Sequence, residues 1–313
     1  MKGRGLMNHF LIGLAIGDAL GVPVEGFSRR KLASDPVISM RGYGTWNKPP
    51  GTWSDDTSMT TATMLSIIRH GVIDYSDIMH NFYLWCTKGM FTVDGLFDVG
   101  KTTYKAIYKY SKNTPALLCG GTDHNDNGNG SLMRMLPVAL YLNARYKNNF
   151  PNEAMVVIHN VSKLTHAHPI SLICCGMYCL VVAELAEGKP TEQAVKDGLD
   201  KGTKYYRQHK YYMQYLSFLN PLLKKDLKSL DSGAIKSSGY VLHSLKAALW
   251  CLLTTTNYKD LLLKAVNLGG DTDTIAAIAG GLGGLVYDIE ELPTEWLETL
   301  RRREWLEMIE SSF

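Results

Sequence analysis

Excess charge of either sign is scarce in this chain. Lys and Arg total 33 against 30 Asp and Glu, a formal net charge of +3, and no dense basic block occurs. Nucleic acid and an anionic membrane surface are therefore not implied as partners. Long apolar runs are scarce too, and none approaches the roughly 20 residues of a membrane span. Few stretches alternate with period two over a useful length, which argues against a substantial sheet. Cysteine is limited to Cys86, Cys119, Cys174, Cys175, Cys179 and Cys251, set mostly among apolar neighbours. Disulfide frameworks belong to short secreted chains, so these six read as reduced thiols of a cytoplasmic protein. Cys175 and Cys179 stand four apart on a helical stretch. Without a His or a second Cys pair at ligand spacing, they read as buried packing rather than a metal site.

What the chain has in abundance is helical periodicity. Leu6, Phe10, Leu14 and Ala15 repeat at three and four, as do Met64, Ile67 and Ile68. Similar runs cover Ser131–Leu142, Glu153–Leu164, Ile170–Glu187, Tyr240–Leu253, Tyr258–Val266 and Thr274–Tyr287. A last run, Pro293–Glu310, opens on a proline suited to a first helical turn. The basic and then apolar N-terminus resembles a weak signal peptide, but Asp18 and five glycines interrupt it, so it reads as the first helix of the fold. Gly26–Trp53, Gly120–Gly130 and Ser217–Ser238 read as loops. None reads as a domain boundary, and 313 residues lie at the upper end of what one core supports. The expectation is an all-α chain with residues 1–313 as a single domain.

Two acidic clusters carry the chemistry. Asn267-Leu268-Gly269-Gly270-Asp271-Thr272-Asp273-Thr274 enters two carboxylates through two glycines, and Gly51-Thr52-Trp53-Ser54-Asp55-Asp56-Thr57 repeats the theme. Each alone reads as a helix N-terminus, where a hydroxyl caps and acids favour the positive dipole end by roughly 0.3–1 kcal/mol each. Two such starts rich in carboxylate and hydroxyl oxygen point instead to a pair of hard divalent cations, Mg²⁺ or Mn²⁺, bridged between them.

GLAIGDALGVPVEG, GTWSDDTSM, FDVGKTT, NGNGSLMR, THAHP, SSGYVLHSLKAALW and NLGGDTDTIAAIAGG, in that order from Gly13, resemble the ADP-ribosylglycohydrolases. That family includes hydrolases of ADP-ribosyl-arginine and glycohydrolases that reactivate dinitrogenase reductase. The resemblance implies a compact, orthogonal all-α fold with a two-metal centre at the base of a cleft. Its metal ligands would be Ser54, Asp55, Asp56, Asp271, Asp273 and Thr274, with Ser54 standing where many relatives have Thr. Asp98 would lie over the scissile linkage and orient or deprotonate the attacking water, while Glu25 approaches the metals or substrate. Asn129, Gly130, Ser131, Leu132 and Met133 would present helix-start amides to the diphosphate, and His166 and Tyr240 would line the cleft. Asp18 is expected to be structural, and Lys101, where relatives usually have Asn, to be solvated. Arg134 is open between a phosphate contact and an internal salt bridge. The tyrosines at 205, 206, 211, 212 and 215 read as packing before adenine stacking, and His168 as uninvolved.

The implied activity is removal of ADP-ribose from a modified acceptor by a cytoplasmic monomer, the acceptor being a protein arginine or a small ADP-ribosyl compound. O-linked ADP-ribose hydrolysis, two-metal nucleotide phosphohydrolysis and a non-catalytic ADP-ribose-binding relative are the alternatives.

Overall fold

Gly13, Gly17 and Gly21 recur every fourth residue and so share one face of the first helix, Phe10–Gly21. That face lies against the helix Thr272–Gly283 with no room for a side chain between the backbones. A Cβ on Gly17 would stand 2.0 Å from the Ala276 carbonyl oxygen, and one on Gly21 2.3 Å from the Asp273 Cα. Gly280 meets Gly13 in the same way from the other side, at 2.1 Å. This is the most extensive helix–helix contact in the molecule. The glycines that interrupt the apolar N-terminal stretch therefore bring Asp18 beside the second acidic cluster. The computed structural model describes residues 9–223 and 226–313, so the periodic position Leu6 lies outside the described residues.

Around this pair the chain is all-α, with sixteen α-helices and no strand among the described residues. Extended pairing is limited to two isolated bridges, Gly121 with His166 and Gly128 with Tyr240. One contiguous apolar core runs from Phe10 to Ile309. At its centre lies Pro169–Ala186, a helix of 18 residues with a mean hydropathy of 1.9. By length and composition it is apolar enough to cross a membrane, which corrects the expectation that no run comes near that size. Within the fold 94% of it is buried, so it is the central core helix, and its lack of a polar face follows from contact on all sides.

Two boundaries differ from the periodicity. The run from Ser131 becomes a helix only at Leu136, with Pro137 in its first turn; residues 131–134 form turns instead. The run from Pro293 divides into Thr294–Thr299 and Arg303–Ser312. Arg302 sits in the left-handed region at φ 55° and Arg301 N–H donates to Gly51 O, so the chain cannot continue as one helix there. Gly26–Trp53 is a loop apart from the short helix Arg29–Ser34, capped by Ser28.

Candidate metal centre

The first cluster opens the helix Asp55–His70. Its terminal amides are satisfied by Asp18, which reaches across from the first helix. Ser54 N–H donates to both Asp18 oxygens at 2.9 and 3.0 Å, Thr57 N–H at 3.0 Å and Thr57 Oγ1 at 2.6 Å. Asp18 is thus structural, as its position suggested. With the helix start capped from outside, Asp55 and Asp56 are not needed for that role and are free to serve the site. Ser54 Oγ donates to Asp56 Oδ2 at 3.1 Å, and Thr274 Oγ1 approaches the same oxygen at 3.4 Å. The two clusters, 218 residues apart in sequence, meet at Asp56.

The second cluster needs its two glycines. Gly269 and Gly270 adopt φ of 72° and 77°, a region that costs other residues energy. A Cβ on Gly270 would also stand 2.1 Å from Ser237 O. Gly270 exchanges backbone hydrogen bonds with the loop after Glu25, donating to Phe27 O and accepting from Gly26 N–H, both at 2.8 Å. Thr272 turns away and donates to Gly21 O, whereas Asp273 Oδ1 accepts from Thr274 N–H at 3.0 Å.

Asp56 Oδ1 and Asp273 Oδ2 are buried without a hydrogen-bond partner. One oxygen each from Asp18, Asp56 and Asp273 lies within 4.8 Å of the others, as does one each from Glu25, Asp98 and Asp273. Burial pushes the carboxyls of Asp55, Asp56 and Asp273 well above the usual carboxylate range, and neighbouring acids, Asp98 or Asp18 foremost, push further. Glu25 rises to about 7, first through burial and then through Asp98. Burial also raises Asp98 itself. Crowded carboxylates of this kind need protons or a cation. All the donors are oxygen, and two of them are orphaned in the interior. That set fits a hard divalent cation and excludes a thiolate- or imidazole-type zinc site.

Asp55, Asp98, Glu25, Asp271 and Thr274 line a cleft of about 230 Å³. Asp98 is held there in the left-handed region at φ 50°. Asn129, Gly130, Met133 and His166 line the same cleft. The helix-start cradle expected at 129–133 is corrected to a turn, since the helix begins only at Leu136. Asn129 N–H donates to Gly239 O and Met133 N–H closes onto Asn129 O, which leaves the amides of Gly130, Ser131 and Leu132. The Ser131 and Leu132 side chains point into the core, with Ser162 Oγ donating to Ser131 Oγ at 2.9 Å. Gly130 has no space for a Cβ, which would meet His166 Cε1 at 2.9 Å. The His166 Nδ1 is bonded to Thr165 Oγ1 at 2.7 Å, and burial drops its pKa to about 3, so the ring is neutral.

Arg134 forms neither contact left open for it. It is fully buried, donates to Gly130 O, Val161 O and Thr165 Oγ1, and lies over the Phe82 ring. It braces the turn from behind. The Tyr240 ring packs edge-on against His243, and it is Gly239 that walls the cleft. His168 caps the central helix through Nδ1. Tyr206 and Tyr212 hydroxyls bond the two ring nitrogens of His159, a packing role. Lys101 is exposed at the cleft mouth. Sequence reading missed Thr102 and Thr103, which also line the cleft, and the hold of Trp46 on Glu25. Thr102 and Thr103 stand four and five residues after Asp98 in FDVGKTT, so that motif was the available signal. Nothing local pointed to Trp46.

The family described as ADP-ribosylglycohydrolase matches residues 7–313. The chain is 30% identical over 295 residues to the ADP-ribosylarginine hydrolase Tri1 of Serratia proteamaculans, covering 94% of this chain and 75% of that protein. It is also 30% identical over 293 residues to the ADP-ribosyl-[dinitrogen reductase] glycohydrolase of Rhodospirillum rubrum, covering 92% and 88%. A solved structure described as an ADP-ribosylglycohydrolase-related protein complex superposes with a TM-score of 0.78 at 27% identity, over 97% of this chain and 94% of that one.

Proposed function

The chain belongs to the ADP-ribosylglycohydrolase family, and from that membership we propose that it releases ADP-ribose from modified arginine side chains using two divalent cations, Mg²⁺ or Mn²⁺. Ser54, Asp55, Asp56, Asp271, Asp273 and Thr274 would hold the cations. When bound, such ions act as Lewis acids and lower the pKa of water. The observation that carries the reading is the meeting of two distant clusters around buried, unpartnered Asp56 Oδ1 and Asp273 Oδ2.

The other residues divide the work along the cleft. The free amide of Gly130 binds the diphosphate, with Asn129 and Met133 lining the cleft beside it, and neutral His166 offers a hydrogen bond without adding charge. Asp98, made more basic by burial, accepts the proton of the attacking water as the glycosidic bond opens. Glu25 completes the acidic rim beside it. A rim carrying Glu25 and Asp98 favours a cationic guanidinium as the acceptor group. The Serratia relative is named for ADP-ribosylarginine hydrolysis, which supports the same choice. All six cysteines are free, which supports a cytoplasmic setting.

A panel of linkage-defined substrates tests the acceptor. ADP-ribosyl-arginine should be cleaved to free ADP-ribose, with serine-linked ADP-ribose cleaved slowly or not at all. Cleavage of the O-linked substrate alone would remove the arginine assignment, and AMP as the product would replace glycohydrolysis with phosphohydrolysis.

A further inference from the structure

Glu25 and Asp98 come from loops more than 70 residues apart, yet one short segment between them touches both loops. Trp46 Nε1 donates directly to Glu25 Oε2. Thr45 Oγ1 donates to the Glu25 carbonyl at 2.7 Å, and Thr45 N–H to Pro23 O at 2.9 Å. On its other side the Trp46 ring packs against Phe97, whose centroid lies 5.7 Å away at 49°. Phe97 immediately precedes Asp98, the residue held at positive φ. The Lys48 ammonium sits over the same Phe97 ring at 5.0 Å and pairs with Asp94 at 3.2 Å. Arg301 anchors the other Asp94 oxygen at 3.5 Å. The indole therefore has one polar attachment and one apolar attachment, each to a segment bearing one of the two rim carboxylates.

We infer that Trp46 is a positioning residue that latches Glu25 in register with Asp98, so that the two carboxylates face the Asp273 oxygen as a unit. This rests on the proposed role of Glu25 in the reaction. A side chain that only filled space would not need its single N–H aimed at a carboxylate in the cleft, and Trp has one donor and no acceptor. Partners that orient such groups are commonly worth 10- to 100-fold in metal affinity or activity.

Trp46→Phe keeps a ring against Phe97 and removes the donor. Wild type, Trp46→Phe, Glu25→Gln and the double variant should be compared for kcat, for Mn²⁺ affinity by calorimetry and for thermal midpoint. Trp46→Phe should lower both kcat and Mn²⁺ affinity about tenfold with KM and the midpoint little changed. In the double variant it should add nothing to the loss caused by Glu25→Gln. Thr45→Val, which deletes the hydroxyl donated to the Glu25 carbonyl, should shift kcat in the same direction and serves if Trp46→Phe does not fold. Wild-type kcat and Mn²⁺ affinity in Trp46→Phe, or losses that multiply in the double variant, would overturn the latch while leaving Glu25 in place. Wild-type activity in Glu25→Gln would overturn the role of Glu25 and the latch with it.

Discussion

Asn129 Nδ2 donates to Asp271 Oδ2 at 2.7 Å and to Ser244 Oγ at 2.9 Å. The turn proposed to hold diphosphate is therefore tied by one amide to the second acidic cluster. Replacing Asn129 with Ala should weaken Mn²⁺ binding by roughly 10- to 100-fold, the range for lost partners of a metal-holding carboxylate. Calorimetry with Mn²⁺ alone reads this without substrate. Unchanged Mn²⁺ affinity would confine Asn129 to substrate contact.

Asp273 gives the acidic cluster its sharpest paired outcome. Asp273→Asn removes a like charge from a crowded interior and should raise the melting temperature of the chelator-treated protein at pH 8. The same change should abolish the stabilisation that Mn²⁺ gives the wild type, which by mass action is about 2.7 kcal/mol at a hundredfold excess over Kd. Melts with and without Mn²⁺ measure both effects, and a full Mn²⁺ shift in the variant would contradict this placement of the metal.

Stability of the metal-free protein should fall with rising pH. Asp18 is pushed up to about 6 and Glu25 to about 7, in both cases chiefly by burial, and Asp55, Asp56 and Asp273 move the same way. Each binds its proton more tightly folded than unfolded, so the folded chain carries more protons once pH exceeds the unfolded values near 4. Stability is then lost as pH climbs through the folded values. Glu310, which accepts from Leu11 N–H and is raised to about 8 by burial, adds the same sign far from the site. Chelator-treated protein should show a falling melting temperature between pH 5 and 8, and Glu310→Gln should keep most of that slope. A rise over this window would count against the buried acidic cluster.

Gly17→Ala tests how the cluster is assembled. The added methyl would meet the Ala276 carbonyl at 2.0 Å and force apart the two helices that carry Asp18 and Asp273. Overpacking of this kind costs about 1–3 kcal/mol. Denaturant unfolding should show that loss with weaker Mn²⁺ binding. Gly233→Ala, where a Cβ would meet nothing within 4 Å, should be close to neutral.

Helix content and the two acidic clusters were legible because they are local patterns, a 3.6-residue period and short oxygen-rich motifs. A structural role for Asp18 was legible from its place in AIGDALG, but its partners Ser54 and Thr57, 36 and 39 residues further on, were not. The outcome for Arg134 was not. Its partners are the carbonyls of Gly130 and Val161 and the hydroxyl of Thr165, and no spacing rule points an arginine at uncharged oxygens 27 and 31 residues away. The helix expected from Ser131 failed for a related reason. Periodic apolar residues there face the core, but the backbone is held in turns by Asn129 O and the buried guanidinium. Trp46 lies in a loop that gave no signal, because its meaning comes only from Glu25 and Phe97 meeting it in space.

Release of free ADP-ribose from an ADP-ribosylarginine protein, followed with Mg²⁺ or Mn²⁺ and again in excess chelator, tests the central claim most directly when Asp273→Ala is run alongside. Wild type should release ADP-ribose only with the cation, and Asp273→Ala should release essentially none under either condition. Equal release in chelator, or an Asp273→Ala enzyme as active as wild type, would contradict a metal-dependent glycohydrolase built on Asp56 and Asp273.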